Sequence, residues 1–322
     1  MKKLFIMGLA AMGLALTACN SDETVEMAKG NAIGFKTFVN NSTRAANDAT
    51  TDNLDAFKVW GLMNKGDQTG TPFIGKEVKK ANGAWSYQTP VYWEKGYAYS
   101  FVALAPNDAY TFTAPTVINT WGSLTFNNGT GETDLIYAAA KQETVAGNTC
   151  PAAVNMTFNH MLSRVRFQFK NGMADGSVLT VSNVKINDAY TSGTATLAEA
   201  LADLSWAPGQ GTGAIEFGNA AAMEKDAKEE TAHKYMIPAT KAYNLTFTVT
   251  RKHHGVTDTY NHTVTLPETE MKQGLSYQFV ATLTAENINP NEELCQIRFT
   301  AEVKGWENFT DKSFEVKTAT NI

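Results

Sequence analysis

The strongest constraint on this chain is a hydrophobic period of two. Val165, Phe167 and Phe169 alternate with Arg164, Arg166 and Gln168. Leu245, Phe247 and Val249 alternate with Thr246, Thr248 and Thr250, and Ile297, Phe299, Ala301 and Val303 alternate with Arg298, Thr300 and Glu302. Successive side chains of a strand point to opposite faces, so short runs of this kind, bounded by Gly, Asn, Asp and Pro, describe half-buried antiparallel strands. Ile33, Phe35, Thr37 and Val39 share one face of a further strand with Lys36 on the other, and Phe57, Val59 and Gly61 begin the next. The run from Tyr97 to Leu104 becomes apolar on both faces, as a central strand does. Leu245–Thr250, then Arg251, Lys252, His253, His254 and Gly255, then Tyr260, His262, Val264 and Leu266 predict a hairpin with a long polar tip. Helix-forming composition is scarce: Thr196–Leu204 and Ala220–Ala232 have it, the second charged enough to be an exposed helix or a loop, and neither is long enough to organise a domain. The fold class is therefore all-β, with two sandwiches to bury the alternating faces.

At roughly 150 residues per domain, 322 residues make two domains. The polar, turn-rich stretch from Lys141 to Ala153 places the junction, giving domains 31–150 and 151–322 to within about ten residues. A hydrophobic share of 43% suits a folded globular chain. Charged residues, at 18%, fall below the usual quarter, and Thr, Ala, Asn and Gly suit strands with hydroxyl-bearing outer faces. A net charge of -5 gives no electrostatic reason to bind nucleic acid.

Residues 1–18 have the layout of a signal peptide: Lys2 and Lys3, then an apolar run from Leu4 to Ala18 that is short for a membrane span. The run ends Leu16-Thr17-Ala18-Cys19, which resembles a bacterial lipobox. In such signals the cysteine is acylated with chains such as palmitate, and Cys19 becomes the first residue of a lipoprotein. More than one acyl chain gives a lasting anchor. Residues 19–30 form a polar tether, and Asn20-Ser21-Asp22-Glu23 resembles the surface-export signal of Bacteroidetes lipoproteins. Cys150 and Cys295 would share an oxidising compartment, and their spacing leaves open whether they pair.

Residues with catalytic chemistry form no known constellation. His253 and His254 are adjacent, so in a strand they point to opposite faces and cannot chelate one ion together. His160, in Phe158-Asn159-His160-Met161-Leu162, suits a hydrogen-bonded structural role. Cys-x-x-Cys, His-Glu-x-x-His and Gly-x-Ser-x-Gly are missing from the sequence. Gly209-Gln210-Gly211-Thr212-Gly213 lacks the lysine of a phosphate loop, and Glu229-Glu230 and Glu292-Glu293 suit solvated faces. No catalytic, cofactor or metal residue is assigned. Most of the six tryptophans lie in alternating apolar runs and belong to the core. Trp121, between Thr120 and Gly122, is the best candidate for an exposed aromatic that meets a ligand.

Several segments, in order, resemble the fimbrillin (FimA/Mfa-like) family of Bacteroidetes surface lipoproteins. They are Ala32-Ile33-Gly34-Phe35, Thr43-Arg44-Ala45, Phe57-Lys58-Val59-Trp60-Gly61, Val91-Tyr92-Trp93, Tyr99 through Pro106, and Asp134 through Ala138. The second half adds Phe158 through Val165, Ile237-Pro238-Ala239, Gly274 through Tyr277, and Val303 through Trp306. The resemblance implies two transthyretin-like β-sandwiches and a non-enzymatic subunit of a fimbrium (pilus) that supports cell adhesion. The precursor would sit at the cell outer membrane through lipid on Cys19.

In such subunits an Arg-specific protease removes the first strand, and a C-terminal segment of the next subunit replaces it. Here the resemblance assigns cleavage to Arg44–Ala45, the displaced strand to Ile33, Phe35 and Val39, and the donor to Phe314, Val316 and Thr318. The residues alone leave two alternatives open: Arg44 in an ordinary surface loop, and a last strand that never leaves its own domain. The family pattern also fits a non-polymerising tip or anchor subunit, an adhesin for a carbohydrate or protein on a host or bacterial surface. Partners are thus other fimbrial subunits, the protease and the membrane.

Overall fold

The computed structural model describes residues 32–40, 48–145, 151–291 and 295–306. The chain opens with β1 (Phe35–Val39), β2 (Ala56–Lys65), β3 (Gln68–Ala81), β4 (Ala84–Ser86) and β5 (Ala98–Ala105). Next come β6 (Tyr110–Thr113), β7 (Ser123–Asn127), β8 (Ile136–Gln142) and β9 (Val154–His160). The second half begins with β10 (Ser163–Asn171), β11 (Val178–Tyr190), β12 (Ser192–Thr196), β13 (Ser205–Pro208) and β14 (Thr212–Met223). It continues with β15 (Lys228–Glu230), β16 (Lys234–Met236), β17 (Thr240–Lys241), β18 (Asn244–His253) and β19 (Val256–Thr265). The last strands are β20 (Thr269–Glu270), β21 (Leu275–Leu283) and β22 (Thr300–Gly305).

The first sheet runs β1-β9-β8-β5-β2-β3-β4. At its centre β5 is buried on both faces, as its sequence predicts. Tyr99, Phe101, Ala103 and Ala105 enter one core, and Val102 and Leu104 enter another. The sheet curls strongly. Phe35 on β1 lies 5.5 Å from Phe73 on β3, although four strands separate them in sheet order. Register shifts on either side of Gly61 interrupt the β2–β3 ladder, and such irregularities bend a sheet.

The second half is a sandwich of β15-β10-β21-β22, with β16 also on β10, against β14-β11-β18-β19. Phe167 and Phe169 of β10 meet Phe217 of β14 and Phe247 of β18 at 4.8 and 5.3 Å. A third sheet, β13-β12-β7-β6, joins strands of both halves and covers the outer face of the first sheet. In chain order β9 is the last strand of the first sheet and β10 the first strand of the second. The halves therefore share a sheet as well as a core.

Three local expectations fail. Thr196–Leu204 keeps only a 3-10 turn at Leu201–Asp203, and Ala220–Ala232 contains the end of β14 and β15 rather than a helix. Ala220 and Met223 are core residues paired opposite Val181 and Leu179, so tertiary pairing overrides helix propensity. The β18–β19 tip is short. His254 and Gly255 adopt φ of 47° and 83°, which suits a two-residue hairpin turn, and the ladder runs on to His253. The two histidines lie at the hairpin tip, with their rings stacked at 4.1 Å.

Candidate functional site

The strand predicted to be displaced, β1, is an edge strand. It pairs in parallel with β9, from Phe35 opposite Val154 to Val39 opposite Phe158. Ile33, Phe35 and Val39 are buried, whereas Phe38 on the opposite face is 56% exposed. Alternation thus aims every second side chain into the curl of the sheet. Phe35 sits within a ring of Phe57, Phe73, Tyr87 and Phe101, with centroids 5.5–6.0 Å away and edge-on geometry.

A few polar contacts hold the strand's ends. The Ile33 N–H donates to the Val91 carbonyl at 2.8 Å, and the Tyr87 hydroxyl donates to the Ile33 carbonyl at 2.7 Å. The Val39 N–H donates to Thr51 Oγ1 at 3.0 Å, and the Asn40 N–H to the Phe158 carbonyl at 2.8 Å. Burial of the three apolar side chains contributes about 1.5–3 kcal/mol each.

A second feature lies where the two halves meet. Asp48, fully buried, pairs with Arg164 of β10 and accepts a 2.7 Å hydrogen bond from the Tyr235 hydroxyl of β16. His233 Nε2 lies 3.5 Å from the same carboxylate. Beside it, the Ala49 N–H donates to Asp134 Oδ2 at 2.8 Å, and His160 Nδ1 lies 2.9 Å from that oxygen. Trp306 closes the cluster. It stacks on His160 at 4.1 Å and on Tyr235 at 5.8 Å, and it faces the Arg164 guanidinium at 5.6 Å.

Burial and the carboxylates of Asp134 and Asp48 push the Tyr235 hydroxyl far above its ordinary range, so it remains a donor. Burial pulls His233 below its ordinary value, against the attraction of Asp48. The Asp134–His160 pair has the orienter-and-base geometry of a hydrolase. Both residues are buried, however, and among the described residues His160 Nε2 meets no hydrogen-bond partner. Among the described residues no group of three His, Cys, Asp or Glu is placed to hold a metal ion.

Of the residues singled out in the sequence, Ile33, Phe35 and Val39 come together in one slot. Trp121 is not an exposed platform. It is 8% exposed, packed in the junction core beneath the Lys141 ammonium, because the loop carrying it folds against the first sheet. Cys19, Arg44, Ala45, Cys150, Phe314, Val316 and Thr318 lie outside the described residues, while Cys295 is exposed. Periodicity missed Asp48, Arg164, Tyr235 and Trp306 as a group. Arg164 stands at an alternate position that normally faces water, and only the packing of one half on the other turns that face inward. A hydrogen-bonded structural His160 was the one legible member.

These features define a β-sandwich protein whose buried ionic groups join its halves, with Asp48 and Asp134 also lining a cavity of about 500 Å³. The sequence matches the family described as Fimbrillin-like over residues 43–306, and the chain belongs to that family. Membership supports a fimbrial subunit or adhesin of the cell surface.

A fimbrial protein from Bacteroides vulgatus ATCC 8482 has the same fold, with a TM-score of 0.64 at 14% identity over 85% of this chain and 99% of that one. A candidate cell adhesion protein from Bacteroides ovatus ATCC 8483 aligns with a TM-score of 0.49 at 14% identity, covering 85% and 97%. The fimbrial anchor protein Mfa2 from Porphyromonas gingivalis aligns with a TM-score of 0.37 at 13% identity, covering 85% and 98%. No curated protein matches the sequence. Among the described residues no helix is long and apolar enough to cross a membrane.

Proposed function

We propose that the chain is a structural, adhesion-supporting subunit of a surface fimbria. It is made as a precursor lipidated on Cys19 at the outer membrane and assembles by strand exchange after cleavage between Arg44 and Ala45. The observation that carries this reading is the seating of β1. It is an edge strand whose Ile33, Phe35 and Val39 fill an apolar slot, with segment 41–47 following directly. Loss of β1 would expose the unpaired N–H and C=O groups of β9 beside an aromatic-lined groove, the two elements that an added strand recognises. A donor carrying Phe314, Val316 and Thr318 on one face has the required alternation. The family match, from residue 43 to residue 306, leaves β1 before it and this tail after it, in keeping with exchangeable ends.

Incubation of the full chain with an Arg-specific protease tests the reading. Cleavage at Arg44 followed by SDS-resistant ladders is expected, with ladders lost on Phe314→Asp. Complete cleavage that leaves monomer would favour a non-polymerising tip or anchor role instead.

A further inference from the structure

Asp48 is the first described residue after segment 41–47, and Trp306 is the last before 307–322. Far apart in sequence, both end in the same buried cluster. Arg164 touches each: its guanidinium pairs with the Asp48 carboxylate and lies 5.6 Å from the Trp306 ring, while its Nε donates to Ser276 Oγ at 3.0 Å.

The placement of Trp306 is unusual for the end of an edge strand. Among the described residues β22 pairs only with β21, and the ladder ends at Gly305 opposite Leu275. A pull on the chain beyond that pair would load it first and then open the ladder one pair after another. Trp306 sits between the ladder and the rest of the chain. It is fully buried, in the junction core rather than in the core of the sandwich that β22 belongs to. The load therefore meets a seated indole before it reaches a backbone pair. Residues 48–49 are held in the same cluster independently of β1, by Arg164, Tyr235 and the Ala49–Asp134 bond.

We propose that Asp48, Arg164 and Trp306 form a joint that holds residues 48–49 and the end of β22 at one buried point. Loss of β1 before Asp48, or a pull on residues after Trp306, then leaves residues 48–49 and the β22 ladder in place. The purpose of such a joint, carrying tension from one subunit to the next, rests on the filament reading above; its existence does not.

Hydrogen exchange on the uncut full chain tests it. A lysine at position 164 keeps the charge but cannot hold Asp48, Ser276 and the Trp306 face at once. Arg164→Lys is expected to speed exchange about tenfold or more in both 48–55 and 300–306, with β11 and β18 unchanged. Tyr235→Phe removes the bond to Asp48 but keeps the ring on Trp306, so it should loosen 48–55 and spare 300–306. Trp306→Leu should do the reverse, and these two variants carry the test if Arg164→Lys does not fold. Uniform acceleration along the chain, or failure of the two single-end variants to separate the segments, would overturn the joint. Ladders that never form in the wild type would overturn the filament reading and leave the exchange result standing.

Discussion

Asp48 and Tyr235 are 187 residues apart in sequence, and the Tyr235 hydroxyl lies 2.7 Å from the Asp48 carboxylate, both side chains being buried. The carboxylate also faces Arg164, so removing its charge strands a guanidinium in the interior. Asp48→Asn is expected to destabilise the protein by about 3–5 kcal/mol, the range for breaking one partner of a buried ion pair. Tyr235→Phe deletes a single hydrogen bond and should cost only about 1–3 kcal/mol. Urea unfolding of the two variants checks the ranking, and equal losses would mean that the carboxylate is not the hub.

His233 gives the cluster a pH dependence. Burial is the main cause of its lowered pKa, and Arg164 and Arg166 add to it, while Asp48 and Asp134 oppose it. The unfolded chain therefore takes up the proton first, at about 6.5. A group whose native pKa lies below its unfolded value supports the fold fully above the unfolded value. That support is lost as pH falls below about 6.5 towards the native pKa. Melting temperatures between pH 8 and pH 5 should thus fall more steeply for the wild type than for His233→Gln. Parallel curves would remove His233 as the cause.

Trp121 separates packing from ligand binding. Its burial in the junction core means that Trp121→Ala should cost about 3–5 kcal/mol of stability, as other large-to-small core changes do. A glycan-array profile of the folded fraction should match that of the wild type. Normal stability together with lost binding would restore it as a ligand aromatic.

Most of the fold was legible because a period of two is a local signal. It marked β5 as central and β10, β18 and the first strand by face, and it needed no knowledge of partners. What stayed hidden depends on contacts between distant segments. Ala220 and Met223 read as helix until the β11 ladder claims them. Trp121 stood as a candidate exposed aromatic because the sequence does not record which sheet covers its loop. Arg164 illustrates the same limit for the site: an alternating charge signifies solvent only while the second face of the strand stays open, and here the other half of the molecule closes it.

Phe35 offers the sharpest separation of a structural from an exchangeable strand. Its ring is ringed by Phe57, Phe73, Tyr87 and Phe101, so Phe35→Ala in the uncut chain leaves a cavity that rigid neighbours cannot refill. A loss of about 3–5 kcal/mol is expected. Phe38, pointing outward from the same strand, should tolerate Phe38→Ala within about 0.5 kcal/mol. If β1 leaves on processing and a donor takes its slot, the Phe35→Ala deficit must vanish from the assembled form, because residue 35 is no longer part of it. Calorimetry of wild type and variant, before cleavage and after assembly, measures this directly. A deficit that persists after assembly would mean that β1 stays where it is, and the slot would then be ordinary core.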